Sequence, residues 1–305
     1  MVASVDYMKS QSTPRNVTPE DHSLIARKAE FNFNADIPRN WQGEYYTTRF
    51  FDALQLAFPD GERMFIKSIR NYRDEIKDPE LLEQVKKFNY QEGQHSIGHN
   101  GFNDLLMDQD INADIMYKVV SKAIKTAEKV VPRKFLLATT VAAEHFTATL
   151  AEDVYNSDFE IFENSDPTIS ALYAWHALEE AEHKSVAWDV FHEVADGDYL
   201  TRVMAMVAIV PILGAYMAVA MPIMLAADKK LMDTSEIKKG YQRFLGKKGM
   251  FRRIGPSIMD YFKPSFHPWS TGHPKHFHEW KDEYAKSNDM TKAYAHVKKL
   301  IEAAA

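Results

Sequence analysis

The sequence predicts an all-α fold, a four-helix bundle extended by further C-terminal helices, and three observations predict it. Carboxylate and histidine residues recur in a fixed order: Glu62, then Glu92-Gly-Gln-His95, then Glu144, then Glu180-Ala-Glu-His183. Only 12 Gly and 13 Pro punctuate the 305 residues, mostly at segment ends. The apolar alternation of strands is hard to find, and long uninterrupted segments read as helices.

Taken in order, residues 1–45 read as an extended N-terminal arm containing Pro14, Pro19 and Pro38. Residues 46–196 form the bundle. Its first helix runs from about Thr47 towards Ile76, kinked or restarted at Pro59-Asp60-Gly61 just before Glu62. Asp78-Pro79-Glu80 supplies an N-cap, a proline in the first turn and an acidic start, opening the helix that carries Glu92 and His95. Residues 113–130 form a connecting helix. Pro132 opens the third bundle helix, with Glu144 at mid-length, and Asp166-Pro167 opens the fourth, which runs to about Ala195. Residues 197–305 supply an apolar helical segment and C-terminal helices that pack on the bundle.

The carboxylate-histidine order is the ligand list of a dinuclear metal site in such a bundle: one helix gives Glu, the next Glu-x-x-His, and the pair repeats. Residues i and i+3 lie about 60° apart around a helix, so the Glu and His of each motif aim at one point. With 12 His in the chain, about one Glu-x-x-His arises by chance, and two are present. The separations agree as well. Glu62 to Glu92 is 30 residues and Glu144 to Glu180 is 36, each enough to go up one helix and down the next. Bridging carboxylates balance the charge of two cations, and neutral imidazoles suit iron or manganese. The expected ligands are Glu62, Glu92, His95, Glu144, Glu180 and His183, holding two ions: iron, manganese or a mixed pair.

Other residues fall on the same helix faces. His99 lies between Glu92 and His95 in angle, and His176 lies between Glu180 and His183. A polar side chain on an inward face needs a partner. His99 is read as a hydrogen-bonding neighbour of the ligands, whereas His176 stays open between ligand and neighbour. Gln91 and Glu179 stand just before the motif glutamates and are placed to accept from the ligands' second ring nitrogens, as ligating imidazoles require. Tyr173, two turns before Glu180, leans towards the site, as an electron relay or as packing. His145 sits about 100° around from Glu144 and reads as a packed or exposed histidine. Thr140, Val141, Thr147 and Ala148 flank Glu144 with small side chains that leave room for a small molecule.

Composition bounds the rest. Hydrophobic residues make up 45% of the chain, ample for a core. The absence of cysteine excludes disulfides, thiolate zinc sites and iron-sulfur clusters. Met1 to Arg15 lacks the pattern of a signal peptide, which favours the cytoplasm. A net charge of -6 argues against nucleic acid, although Lys247-Lys248 and Arg252-Arg253 suit phosphate or lipid headgroups.

Through Glu62, Glu92, His95, Glu144, Glu180 and His183 the chain resembles the ferritin-like dimetal carboxylate proteins. Within that group, Phe-Pro-Asp-Gly-Glu62 and Trp175-His176-Ala-Leu-Glu-Glu180-Ala-Glu-His183-Lys look like the bacterial family labelled predicted metal-dependent hydrolase, over about residues 40–280 and including Phe266-His267-Pro268-Trp269. The spacing of His176, Glu180 and His183 is similar to that of dinuclear iron N-oxygenases acting on arylamines, which implies a seventh ligand at His176. His99 stands where the ribonucleotide reductase small subunit carries its radical tyrosine, which disfavours radical storage. Iron storage is disfavoured too, because ferritin chains are much shorter and carry no segment like residues 203–227.

Val203 to Ala227 holds no charged residue over 25 positions, long enough to cross a bilayer. Pro211, Gly214 and Pro222 count against spanning. Membrane association, a packed helical hairpin and burial in a homodimer all fit. The tail from Phe262 to Trp280 gathers His267, His273, His276 and His278, a density more common in surface loops than in metal sites. His267 is its most distinctive member.

These features imply a non-haem dinuclear metal enzyme, with di-iron oxidation of a small hydrophobic substrate by dioxygen as the first expectation and an electron donor as partner. Hydrolysis at the same metals, with Glu179 or His176 carrying the proton, is the alternative. A bundle that merely holds metal is the third.

Overall fold

The computed structural model describes residue 19 and residues 23–304, and among the described residues the chain is helical without strands. Apart from Pro19, the part of the arm before residue 23, Pro14 included, lies outside them. From residue 23 to Glu44 the chain is non-helical, and it is anchored by buried Leu24, Arg27, Ile37 and Trp41.

Helix α1, Tyr45–Arg70, runs unbroken through Pro59. Of the kink or restart expected at Pro59-Asp60-Gly61, the restart is absent. The helix also stops short of Ile76. Asn71 N–H returns to the Lys67 carbonyl, Tyr72 N–H to that of Ile69, and a 3-10 turn at Arg73–Glu75 follows. The chain is then extended at Ile76 and Asp78, the residue before a proline being driven out of the helical region. Helix α2, Pro79–Met107, begins as read, with Asp78 Oδ1 accepting from Glu80 N–H at 2.8 Å. Helix α3, Ala113–Val130, packs on α1. Helix α4, Arg133–Asn156, follows Pro132. Helix α5, Pro167–His183, is capped by Asp166 Oδ1, which accepts from Thr168 N–H at 2.9 Å and Ile169 N–H at 3.2 Å.

The fourth bundle helix does not reach Ala195 in one piece. It ends at His183, resumes as the short α6, Val186–Asp189, and widens into a π turn at Val190–Val194. The break falls at buried Lys184, whose ammonium is drawn to Glu152 at 2.8 Å, Thr271 Oγ1 at 3.0 Å and the Gly272 carbonyl at 2.7 Å. After it come α7 (Tyr199–Ala227), α8 (Thr234–Leu245), α9 (Met250–Asp260), α10 (Phe277–Ser287) and α11 (Met290–Ala304). Helix α7 passes through Pro211, Gly214 and Pro222 without folding back, so residues 203–227 are not a hairpin.

Helices α1, α2, α5 and α4 close a ring, each packed on the next. Short connections make α1 and α2 antiparallel, as with α4 and α5. α7 lies on α1 and α4, α8 on α1, α9 on α4, and α11 on α5. Inside the ring are two apolar clusters. One holds Phe51, Leu54, Phe102, Leu106, Tyr155 and Trp175; the other holds Phe65, Ile69, Val85, Phe88, Leu137 and Phe191. The polar residues of mid-α1, mid-α2, mid-α4 and late α5 fall between them.

The Asp166 cap sets the start of the helix that brings three of the expected ligands, His176, Glu180 and His183. Asp166→Ala removes two bonds to orphan N–H groups and should cost about 1 kcal/mol, measurable in urea unfolding; an unchanged midpoint would contradict the capping role.

Candidate metal centre

Helix register assembles the polar layer. Ser68 Oγ and Thr140 Oγ1 meet at 2.8 Å and align α1 with α4, so Glu62 comes level with Glu144. Glu92 and His95 enter from α2, and His176, Glu180 and His183 from α5. His183 Nε2 lies 3.1 Å from Glu92, 3.4 Å from Glu144 and 3.5 Å from Glu180. His95 Nδ1 lies 3.9 Å from both Glu92 and Glu180. Three groups have donor atoms within 4.8 Å of one another: Glu62, His95 and His176; Glu92, Glu144 and His183; Glu92, His95 and Glu180. All seven residues expected as ligands are therefore in one buried cluster.

Seven atoms in that cluster are buried without a hydrogen-bond partner among the described residues: Glu62 Oε1, both oxygens of Glu92, His95 Nδ1, both oxygens of Glu144, and His183 Nε2. Burial, aided by the neighbouring carboxylates, holds Glu92 and Glu144 well above the usual carboxylate range. Glu62 is raised by burial and by Glu180, despite the bond from Ser96 Oγ at 3.0 Å. Burial raises Glu180 too, but His183 and His176 outweigh it and keep that carboxylate ionised. His95 and His99 are pushed well below the ordinary histidine value, first by burial and then by His176, and are neutral donors.

The second nitrogens of the imidazoles are committed, and the commitment is crosswise. Glu179, beside Glu180 on α5, meets His95 Nε2 of α2 at 3.1 Å, and Gln91, beside Glu92 on α2, meets His183 Nδ1 of α5 at 3.1 Å. Gln91 Nε2 donates to Glu182 at 2.8 Å, so its oxygen is left to accept from His183. Glu179 and Glu182 converge on Arg27, whose guanidinium reaches Glu179 at 2.9 Å and Glu182 at 2.9 and 2.7 Å. Arg27 is fully buried, stands 5.5 Å from the ring centroids of both Trp280 and Tyr284, and is supplied by the arm. Burial pushes Glu179 up to about 8 against the pull of Arg27.

A second chain of contacts leaves the other flank. Gln55 Oε1 meets His99 Nδ1 at 2.7 Å, while Gln55 Nε2 donates to the His99 carbonyl at 2.8 Å. An amide oxygen only accepts, so His99 carries its proton on Nδ1 and offers Nε2 to His176 Nδ1–H. His176 Nε2 lies 2.9 Å from Glu180 Oε1. Tyr173 stands outside the layer, its hydroxyl reaching the Phe51 carbonyl at 3.2 Å and Gln55 Oε1 at 3.3 Å. It meets the cluster only through Gln55 and His99.

Over residues 25–272 the sequence matches the family described as "Predicted metal-dependent hydrolase". The chain belongs to this family. Neither a curated protein nor a solved structure matches it. The matched span takes in every residue of the cluster, together with Arg27 and the Phe266-His267-Pro268-Trp269 run.

Several residues flagged in the sequence lie elsewhere. Of the four small neighbours of Glu144, Thr140 bonds Ser68, Val141 joins an apolar cluster and Thr147 donates to Glu180. Ala148 borders a cavity of about 220 Å³ that it shares with His145, Lys184 and Thr271. His145 is packed, with Nε2 at 3.0 Å from the Ser257 carbonyl. His267 accepts from Trp269 N–H at 3.2 Å and caps a 3-10 turn, His276 pairs with Asp158, and the rings of His273 and His278 meet at 5.6 Å, so among the described residues the four tail histidines do not gather into one metal-ligating group.

Two outcomes follow from this arrangement. Arg27→Ala leaves two carboxyls buried without their guanidinium and should cost about 3–5 kcal/mol of stability; a loss below about 1 kcal/mol in chemical unfolding would show that Lys281, 3.3 Å from Glu182, suffices. Because Glu62, Glu92 and Glu144 hold protons above the usual carboxylate range, divalent cations must displace them. Affinity in a competition titration should therefore keep rising with pH above the ordinary carboxylate range, and a flat profile would contradict it.

Proposed function

We propose that the chain is a dinuclear metal-dependent hydrolase acting on a small hydrophobic substrate. The carrying observation is the set of seven buried donor atoms without hydrogen-bond partners, confined to one layer between two apolar clusters. Unpaired polar and charged groups in such surroundings are strongly unfavourable. Two divalent cations would satisfy them together. Glu62 and His95 would hold one ion, Glu144 and His183 the other, with Glu92 and Glu180 between them, and His176 Nε2 as a further donor beside Glu180. Oxygen and imidazole donors of this kind suit iron or manganese.

A bound pair of this type polarises a scissile carbonyl or phosphoryl group and acidifies the attacking water. The chain's own side chains supply the rest. Gln91 and Glu179 fix the orientation of the two motif imidazoles. Glu179, raised to about 8, can hold or release the proton it shares with His95 Nε2 near neutral pH. The apolar clusters on either side of the layer keep bulk water out. The choice of hydrolysis rests on the family description.

Oxidation by dioxygen is the second reading. It is favoured by the carboxylate-rich donor set and by the Tyr173–Gln55–His99–His176 chain, which connects an oxidisable phenol to the layer. It requires an electron donor.

The two readings separate in one series. The protein is loaded anaerobically with Mn(II) or Fe(II), assayed on nitrophenyl esters of increasing acyl length, and then exposed to dioxygen. Metal-dependent ester cleavage, reduced about 10–100-fold by Glu179→Gln, is the expected result. Oxygen uptake without cleavage would transfer the assignment to oxidation, and neither reaction with metal bound would leave a structural metal centre.

A further inference from the structure

Helix α7 is packed on one side only. Met206, Met217, Ala220 and Met224 are buried towards α1 and α4, and the Tyr216 hydroxyl donates to the Ala53 carbonyl at 3.0 Å. The opposite side is open and apolar. Val207 is 58% exposed and Ile212 66%, with Met204 and Val219 similar, and only 22% of the most apolar stretch is buried. At about 1.5 Å per residue, the 29 residues of α7 present an apolar stripe about 40 Å long. Isolated apolar side chains are ordinary on a surface, but a continuous stripe marks a contact.

The charge of the segment that follows the stripe in the chain, on helices packed on the same two partners, identifies what the stripe contacts. Residues 229–253 hold nine Lys or Arg against two Asp or Glu, in a chain whose net charge is -6. This segment forms α8 and the start of α9, which pack on α1 and α4, the two helices that α7 also covers. Lys238, Lys239, Lys247, Lys248 and Arg252 are exposed there, interleaved with exposed Ile237, Tyr241, Leu245 and Phe251. Basic residues beside exposed apolar ones are the composition of helices that lie in a lipid interface. A second copy meeting this face would bring its own basic rim, whereas acidic headgroups supply the opposite charge. Spanning is disfavoured by the packing, since α7 is fastened along α1, whose Arg63 and Lys67 side chains are about half-exposed.

We propose that α7, rimmed by α8 and the start of α9, docks flat on a bilayer surface carrying anionic headgroups. The apolar stripe enters the boundary between headgroups and acyl chains, and the basic rim lies over the headgroups.

The test is co-sedimentation of the full chain with phosphatidylcholine vesicles, with and without phosphatidylglycerol. Binding should require the anionic lipid and weaken with salt. It should fall at least about tenfold in Lys247→Glu/Lys248→Glu, where two charges are reversed. Val207→Ser/Ile212→Ser, which changes the stripe and leaves the rim intact, should also weaken it. Circular dichroism of both variants checks that they fold. Binding to neither vesicle, with the chain dimeric in sedimentation, would overturn the proposal in favour of a second copy. Equal binding to both vesicles, unaffected by either variant, would also overturn it.

Discussion

The structure depends on one electrostatic constraint: four carboxyls and three imidazoles occupy a buried layer between two apolar clusters. Each of the four helices in the ring contributes to the layer, so the bundle cannot form without burying it. Burial drives Glu62, Glu92 and Glu144 towards protonation and His95 towards neutrality, and seven donor atoms have no hydrogen-bond partner among the described residues. The surrounding polar groups appear wherever an imidazole has a second nitrogen to satisfy. Gln91 and Glu179 meet that need directly, Glu182 and Arg27 hold them in turn, and Gln55 and His99 do the same for His176.

The layer was legible in the sequence because helical spacing converts directly into a shared face. Glu-x-x-His, a lone Glu at mid-helix and matched separations place six residues at one level before any tertiary contact is known. The same reasoning put Gln91 and Glu179 near the imidazoles, but it looked along each helix. The observed pairing is across the bundle, because a side chain one position before the motif glutamate points to the neighbouring helix. Arg27 left no trace in the sequence: it lies in a non-helical arm with no periodicity, and its three-way contact with Glu179 and Glu182 depends on how that arm folds back. Glu182 carried a weak signal, a third acidic residue inside a buried helix.

Element boundaries were less legible than element identity. Capping residues Asp78 and Asp166 announced two helix starts because the cap is a local interaction. The end of α5 at His183 is set by Lys184 reaching Glu152 and the Gly272 carbonyl, partners 32 and 88 residues away. No local pattern encodes that. Helix α7 shows the converse: Pro211, Gly214 and Pro222 read as breakers, yet packing against α1 and α4 keeps the helix whole. The apolar character of that segment was evident from composition, but which side is covered and which is open is a tertiary fact.

The claim on which the rest turns is that the layer holds two cations close enough to share Glu92 and Glu180. Electron paramagnetic resonance of the Mn(II)-loaded protein, combined with metal analysis, tests it most directly. Two manganese ions per chain with the spectrum of an exchange-coupled pair is the predicted result. One ion per chain with an uncoupled Mn(II) signal, or loading that persists when Glu92 and Glu180 are both replaced by Ala, would contradict it.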